Sequence, residues 1–239
     1  MKIGVFDSGV GGLTVLRKLI EKYPNNEYIY FGDTKNMPYG DKTIEELQIL
    51  SSNIMEFLIK QNVELIIIAC GTVSSNLSDY LKIKYNIPII DIISPVVNYL
   101  NNSDYEKIGV LATNATINSK IFSKNIKKDI IEVACPDLVP IIESNNFNLL
   151  DEALNKYLHK VKECELIILG CTHYPIIKNQ IFEKLNSNVR ILDMSECITF
   201  NEKNSVKKIK LYFSKLDDST IENIKSILKD EIYSISVIN

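Results

Sequence analysis

Histidine is scarce in this sequence, and long apolar runs and paired cysteine motifs are missing. The two histidines, His159 and His173, stand beside five cysteines (Cys70, Cys135, Cys164, Cys171 and Cys197), an odd number without CxxC spacing. That combination argues against a disulfide framework and against a zinc site, and leaves free thiols in a reducing compartment. No apolar run reaches membrane-spanning length, and the opening Met1-Lys-Ile-Gly-Val-Phe6 reads as a strand too short for a secretory signal, so a cytoplasmic location is expected. Charge is nearly balanced, with 27 Lys and Arg against 30 Asp and Glu, and no basic patch is interleaved with aromatics. Nucleic acid and membrane are therefore poor partners, and a small molecule is the expected one. A chain of 239 residues can bury a large core in one or two domains.

What the sequence does contain is a repeat. Glu64-Leu-Ile-Ile-Ile-Ala-Cys-Gly-Thr72 recurs as Glu165-Leu-Ile-Ile-Leu-Gly-Cys-Thr-His173: an acidic residue, a continuous apolar run, a small residue, then a cysteine. Cys70 and Cys171 are thus equivalent points, 101 positions apart, and Ile3-Gly-Val5 recurs as Ile108-Gly-Val110 at an offset of 105. Two echoes at nearly one offset indicate a duplicated half. Each apolar run is too short for a surface helix and too continuous for a half-exposed strand, so both read as strands of a parallel sheet buried on two faces. Thr72-Val-Ser-Ser-Asn-Leu77 and Pro175-Ile-Ile-Lys-Asn-Gln180 then read as helix beginnings. A helix N-terminus lowers a thiol pKa and holds a carboxylate.

Along the chain, Ile3–Phe6 is the first strand and Asp7-Ser-Gly-Val-Gly-Gly12 turns it into a helix carrying Leu13, Leu16, Leu19 and Ile20. Gly9, Gly11 and Gly12 do not satisfy GxGxxG, so the turn is read as letting backbone amides approach a small anion. Asp7 is either an N-cap or a carboxylate aimed into the crevice at the strand ends. Tyr28–Phe31 is a second strand. Thr43-Ile-Glu-Glu46 opens a helix with a capping box and places Ile44, Leu47, Ile54, Leu58 and Gln61 near one face. Asn101–Asp104 is the linker candidate, which gives an expected division into 1–97 plus 206–239 and 98–205. In the second half Ala112 stands against Asp7, and Thr113-Asn-Ala-Thr116 occupies the turn. Lys207–Phe213 and Ser219–Leu228, read as strand and helix, break the duplication and are expected to return to the first half.

An approximate two-fold would put Cys70 and Cys171 on opposite walls of one cleft. Inverting a stereocentre with an acidic C–H needs that arrangement, since one group removes the proton and another returns one from the far side. His173, two residues after Cys171, and Asp7, on the strand expected beside that of Cys70, are the partner candidates. Cys135, Cys164 and Cys197 lack the symmetry and read as structural, and His159 as exposed. Binding without chemistry in a two-lobed cleft, and thiol redox chemistry, are the other classes the residues allow.

The assembled motifs, Phe6–Val15, Tyr30–Thr34, Pro38-Tyr-Gly40, Ile68–Thr72, Val139–Glu143 and Leu169–Pro175, resemble those of the cofactor-independent aspartate/glutamate racemases, in the same order and over most of the chain. The resemblance implies an α/β fold of two pseudo-symmetric domains with mostly parallel sheets flanked by helices, the active site in the cleft between them, and no metal, flavin or pyridoxal phosphate. It implies that Cys70 exchanges the Cα proton with the D-enantiomer and Cys171 with the L-enantiomer, Asp7 assisting the first and His173 the second, with Glu143 behind His173 and Asp33 near the first site. Ser8, Pro38, Tyr39, Gly40, Gly71, Thr72, Thr113, Thr116 and Thr172 are the implied substrate contacts, together with Asp7, Asp33 and His173. It further implies glutamate as substrate, with aspartate or another amino acid as the alternative, a role in supplying D-glutamate for peptidoglycan, and a homodimer as a common assembly. One position departs: this chain has Gly71 where the family typically has Asn.

Overall fold

The apolar runs on either side of the repeat become the centres of two all-parallel sheets. The structure is a computed structural model that describes residues 1–185, 188–203 and 205–238. Its strands are β1 (Lys2–Asp7), β2 (Glu27–Gly32), β3 (Leu65–Ile68), β4 (Ile89–Asp91), β5 (Lys107–Ala112), β6 (Asp129–Ala134), β7 (Leu166–Leu169), β8 (Arg190–Asp193), β9 (Lys208–Phe213) and β10 (Ser234–Val237). The helices are α1 (Gly12–Lys22), α2 (Ile44–Lys60), α3 (Gly71–Lys84), α4 (Ser94–Asn101), α5 (Asn114–Ser119), α6 (Ile121–Asn125), α7 (Leu138–Glu143), α8 (Leu150–Leu158), α9 (Lys178–Glu183) and α10 (Asp218–Leu228). No helix among the described residues is long and apolar enough to cross a membrane.

The first sheet runs β10-β9-β2-β1-β3-β4 and the second β6-β5-β7-β8. The order β2-β1-β3-β4 is therefore repeated as β6-β5-β7-β8, and so is the register. Asp7 pairs with Gly32 as Ala112 pairs with Ala134, and Ile68 pairs with Asp91 as Leu169 pairs with Asp193. The duplication thus reaches a fourth strand, whose terminal aspartates both accept bonds from a following serine: Asp91 from Ser94 and Asp193 from Ser195. The tail adds β9 beside β2 and β10 beside β9, widening the first sheet only.

Strand alternation then distributes the core. Ile3 and Val5 of β1 and Ile108 and Val110 of β5 share one central apolar layer, to which both sheets contribute. Phe6, Ile66 and Ile68 belong to an outer layer under α2 and α3, while Leu111, Ile167 and Leu169 belong to another under α7 and α8. All four residues of β3 and of β7 are buried. Each such side chain contributes about 1.5–3 kcal/mol, so the two cysteine-bearing strand ends stand on firmly buried strands.

The capping box at Thr43 and Glu46 is formed. Leu47, Ile54 and Leu58 of α2 are buried, but Ile44, in its first turn, is exposed. The segment after Cys171 differs from expectation more usefully. Tyr174–Ile177 is a 3₁₀ turn built on bonds from Tyr174 N to Cys171 O and from Ile176 N to His173 O, and α9 begins only at Lys178. Cys70, by contrast, directly caps the fourteen-residue α3.

Candidate active site

Cys70 and Cys171 line one enclosed space between the two sheets. Ser8, Pro38, Tyr39, Gly40, Gly71, Thr72, Thr113, Glu143, Thr172 and His173 share that lining with them, joined by Met37, Asp41, Asn114, Cys135, Pro136, Val139, Pro140 and Gly170. The free volume is about 50 Å³, room for a few waters at ~10–15 Å³ each and less than an amino acid fills. The walls therefore stand closed. Three expected residues do not reach the lining: Asp7 and Thr116, which have no exposed surface, and Asp33.

Each thiol has its own surroundings. Cys171 Sγ lies 3.6 Å from His173 Nδ1, and His173 Nε2 is bonded to Glu143 Oε1. Burial alone would push the imidazole down, but the Glu143 carboxylate and the Cys171 sulfur hold it well above its ordinary range. A protonated ring in this position donates to the carboxylate through one nitrogen and to the Cys171 sulfur through the other. Cys70 Sγ meets the Ser8 hydroxyl at 3.9 Å. Burial and then the charge of Asp7 push the Cys70 thiol up, against the Val73 amide of α3's first turn and the Ser8 hydroxyl. These surroundings favour the neutral form of the Cys70 thiol.

The glycine turn explains how the two surroundings meet. Gly9 N and Gly12 N donate to Asp7 Oδ2 at 3.1 and 3.0 Å, and Val10 N points to Glu143 Oε1 at 3.4 Å. The anions that these amides hold are the protein's own carboxylates. Side chains at the glycines have no room: a Cβ on Gly9 would lie 2.6 Å from Glu143 Oε1, and one on Gly11 would lie 2.5 Å from His173 Nδ1. From the other side, Thr172 Oγ1 donates to Asp7 Oδ1 at 3.3 Å. Burial raises the Asp7 carboxyl above its ordinary range, opposed by His173 and by the Gly12 and Gly9 amides. Each half therefore supports the acid/base groups of the other.

The hydroxyls form a chain across the cleft. Thr72 Oγ1 lies 3.0 Å from Thr113 Oγ1, which lies 3.2 Å from Thr116 Oγ1. Tyr39 OH donates to Asp33 Oδ2 at 2.6 Å, while Asn36 Nδ2 and Ser214 Oγ donate to Asp33 Oδ1 at 2.9 and 2.6 Å, so Asp33 fixes the loop that carries Tyr39. Gly71 brings backbone against backbone. A Cβ there would stand 2.7 Å from the carbonyl oxygen of Gly170, so the space that an asparagine would occupy is filled from the opposite wall.

Cys135 is the lining residue that the sequence left among the structural cysteines. Its amide bonds to Ala112 O at 2.9 Å as that of Asp33 bonds to Asp7 O at 3.1 Å, so it is the duplicate of Asp33. The register of β6 against β5 was the signal that could have found it. Cys164, at the foot of β7, and Cys197 lie outside the lining, and His159 is exposed. No three His, Cys, Asp or Glu side chains among the described residues are gathered as a metal site requires.

Residues 3–199 match the Asp/Glu/Hydantoin racemase family. A glutamate racemase of Caldanaerobacter subterraneus subsp. tengcongensis is 37% identical, with 99% of this chain and 95% of that protein covered. Among solved structures, a glutamate racemase isoform from Bacillus anthracis is similar with a TM-score of 0.91 at 27% identity, over 99% of this chain and 97% of that one. The glutamate racemase of Francisella tularensis subsp. tularensis, solved in complex with D-glutamate, has a TM-score of 0.84 at 31% identity, over 100% and 97%. With its two strand-end cysteines facing one cleft, this chain belongs to the Asp/Glu/Hydantoin racemase family.

Proposed function

We propose that the protein is a glutamate racemase that interconverts the enantiomers by proton transfer at Cα between two thiols. The observation that carries this reading is the placement of Cys70 and Cys171 at duplicate strand ends on opposite sides of one enclosed space. In the L to D direction, Cys171 as thiolate takes the Cα proton of L-glutamate and the Cys70 thiol gives its proton to the opposite face. The products are D-glutamate, a Cys171 thiol and a Cys70 thiolate. The reverse reaction exchanges the roles, and the chemistry needs no cofactor. The protonated His173 with Glu143 behind it supports the thiolate at Cys171. Asp7 and Ser8 serve the Cys70 side.

Substrate amino and carboxylate groups are assigned to the cleft-facing hydroxyls of Ser8, Thr72, Thr113 and Thr172, with Thr116 behind them and the backbone at Pro38, Gly40 and Gly71. Asp33 acts through Tyr39. We read the chain as two units, 1–97 with 206–239 and 98–205, that part to admit substrate and close on it. A cytoplasmic enzyme of this activity would supply D-glutamate for peptidoglycan. The test is incubation of the metal-free protein with L-glutamate in deuterated water, followed by NMR of the Cα proton and chiral separation. Deuterium uptake with D-glutamate formation is expected; no exchange at Cα would remove the reading. Because Gly71 alters the wall, aspartate is the second candidate substrate, and the ratio of D-glutamate to D-aspartate turnover decides between them.

A further inference from the structure

The segment 214–219, beyond the residues that match the family, reaches both sides of the cleft from outside. Ser214 bonds Asp33, which holds Tyr39 on the first side. On the second side, Ser219 Oγ donates to the backbone carbonyl of Glu143 at 2.6 Å. Glu143 ends α7, a short helix that buries Leu138, Val139, Ile141 and Ile142 but leaves Glu143 at its last position. It has six residues and no side-chain cap at its N-terminus. Pro140 O, Ile141 O and Ile142 O accept from the amides of Ser144, Asn146 and Asn145, and Glu143 O is the last carbonyl of the helix.

Ser219 is well placed to bond that last carbonyl. It sits in the first turn of α10, which is capped by bonds from Thr220 N and Oγ1 to Asp217 Oδ1 at 2.9 and 2.7 Å. Further along α10, Ile224 and Leu228 are buried in the central apolar layer, and Arg17 of α1 donates to Ile227 O at 3.2 Å. A hydroxyl anchored to the first sheet's helices therefore holds the residue whose carboxylate holds His173.

We propose that Ser219 is a positioning residue for the Cys171 half-reaction, fixing Glu143, and through it the His173 proton on Cys171, from the C-terminal segment. The inference rests on the racemase reading. Its test uses the full chain with Ser219→Ala and, as the conservative variant, Ser219→Thr. Displacement of the carboxylate by a fraction of an ångström is expected to lower kcat/KM about 5- to 30-fold in Ser219→Ala, and Ser219→Thr is expected to recover most of it.

Enantiomers have equal free energy in water, so kcat/KM must fall equally in both directions whichever side is damaged. Isotope effects do separate the sides. With L-glutamate deuterated at Cα the bond to deuterium breaks at Cys171, and with the D-enantiomer it breaks at Cys70. Ser219→Ala is expected to raise the isotope effect on kcat/KM for L-glutamate and lower it for D-glutamate, with Ser219→Thr returning both toward the parent. Isotope effects unmoved from the parent, or moved alike for both enantiomers, would show that Ser219 only stabilises the fold. A parent that does not racemise removes the underlying reading and this inference with it, whereas a racemising parent with unmoved isotope effects removes the inference alone.

Discussion

The two walls of the cleft share one four-strand plan and carry different chemistry. On the Cys171 wall an imidazole touches the sulfur and a carboxylate backs it. On the Cys70 wall the sulfur meets a hydroxyl, while the carboxylate of Asp7 lies behind it, fully buried and bonded to Gly9, Gly12 and Thr172. Where the first half has Asp7 and Asp33, the second has Ala112 and Cys135. The difference teaches that the repeated strands fix where a thiol stands, whereas the groups beside each sulfur belong to its own half and are braced from the other, Glu143 by Val10 N and Asp7 by Thr172.

The strongest way to break this comparison is to remove one thiol at a time. Cys70→Ala and Cys171→Ala are each expected to lower racemisation about 10³- to 10⁴-fold, near the upper end for a positioned acid or base. Cys70→Ala is expected to keep solvent exchange at Cα of L-glutamate alone, and Cys171→Ala that of D-glutamate alone. Exchange of the same enantiomer in both variants would end the division of labour.

Replacing the assistants sharpens the comparison. His173→Asn is expected to cost roughly 10²- to 10³-fold and Asp7→Asn roughly 10- to 10²-fold, because only the imidazole touches its sulfur directly. The isotope effect should rise for L-glutamate in the first variant and for D-glutamate in the second. Equal responses to both enantiomers in either variant would mean that the groups act on the fold alone.

Gly71 tests the distance between the walls. Gly71→Ala puts a methyl 2.7 Å from Gly170 O, so the carbonyl must retreat by several tenths of an ångström. A loss of about 10-fold in kcat/KM is expected, and Gly71→Asn should lose more. If Gly71→Asn instead lowers KM and leaves kcat intact, the glycine is a lost substrate contact and not a spacer.

The smallest effect concerns stability. The raised pKa of His173 means that the folded state binds its proton more tightly than the unfolded chain does. That contribution is complete below the ordinary imidazole value near 6.5 and is lost as pH climbs through the folded value. As pH rises above about 6.5 the parent's Tm should fall relative to that of His173→Asn, by about 2–4 °C per kcal/mol of linkage. A Tm difference between the two that does not change with pH would argue against a protonated His173 in the fold.

Much of this was legible in the chain. The apolar runs before Cys70 and Cys171, the Ile-Gly-Val echo and the capping box at Thr43 are short-range patterns, and short-range patterns encode strands and caps. The fourth strand of each repeat was not read as a duplicate, because Asp91-Ile-Ile-Ser94 and Asp193-Met-Ser195 differ by one residue. β10, with its alternating Ser234-Ile-Ser-Val237, was too short to stand out. The glycine turn was read as meeting a small anion, whereas its amides bond the chain's own carboxylates, Asp7 beside it and Glu143 more than a hundred residues away in sequence. Cys135 and Ser219 share that reason: their importance lies in partners set by strand register and helix docking.

Both thiols of the pair are enclosed with little more than a few waters' worth of space between them. Thiolates in solution are consumed by dissolved oxidants, and a permanently nucleophilic sulfur is a hazard to the protein that carries it. Here the shut cleft acts as a shelter. If the two units part to admit substrate, as proposed, exposure to damage is confined to the moments when the walls separate, and traffic through the site then sets how fast the thiols are lost.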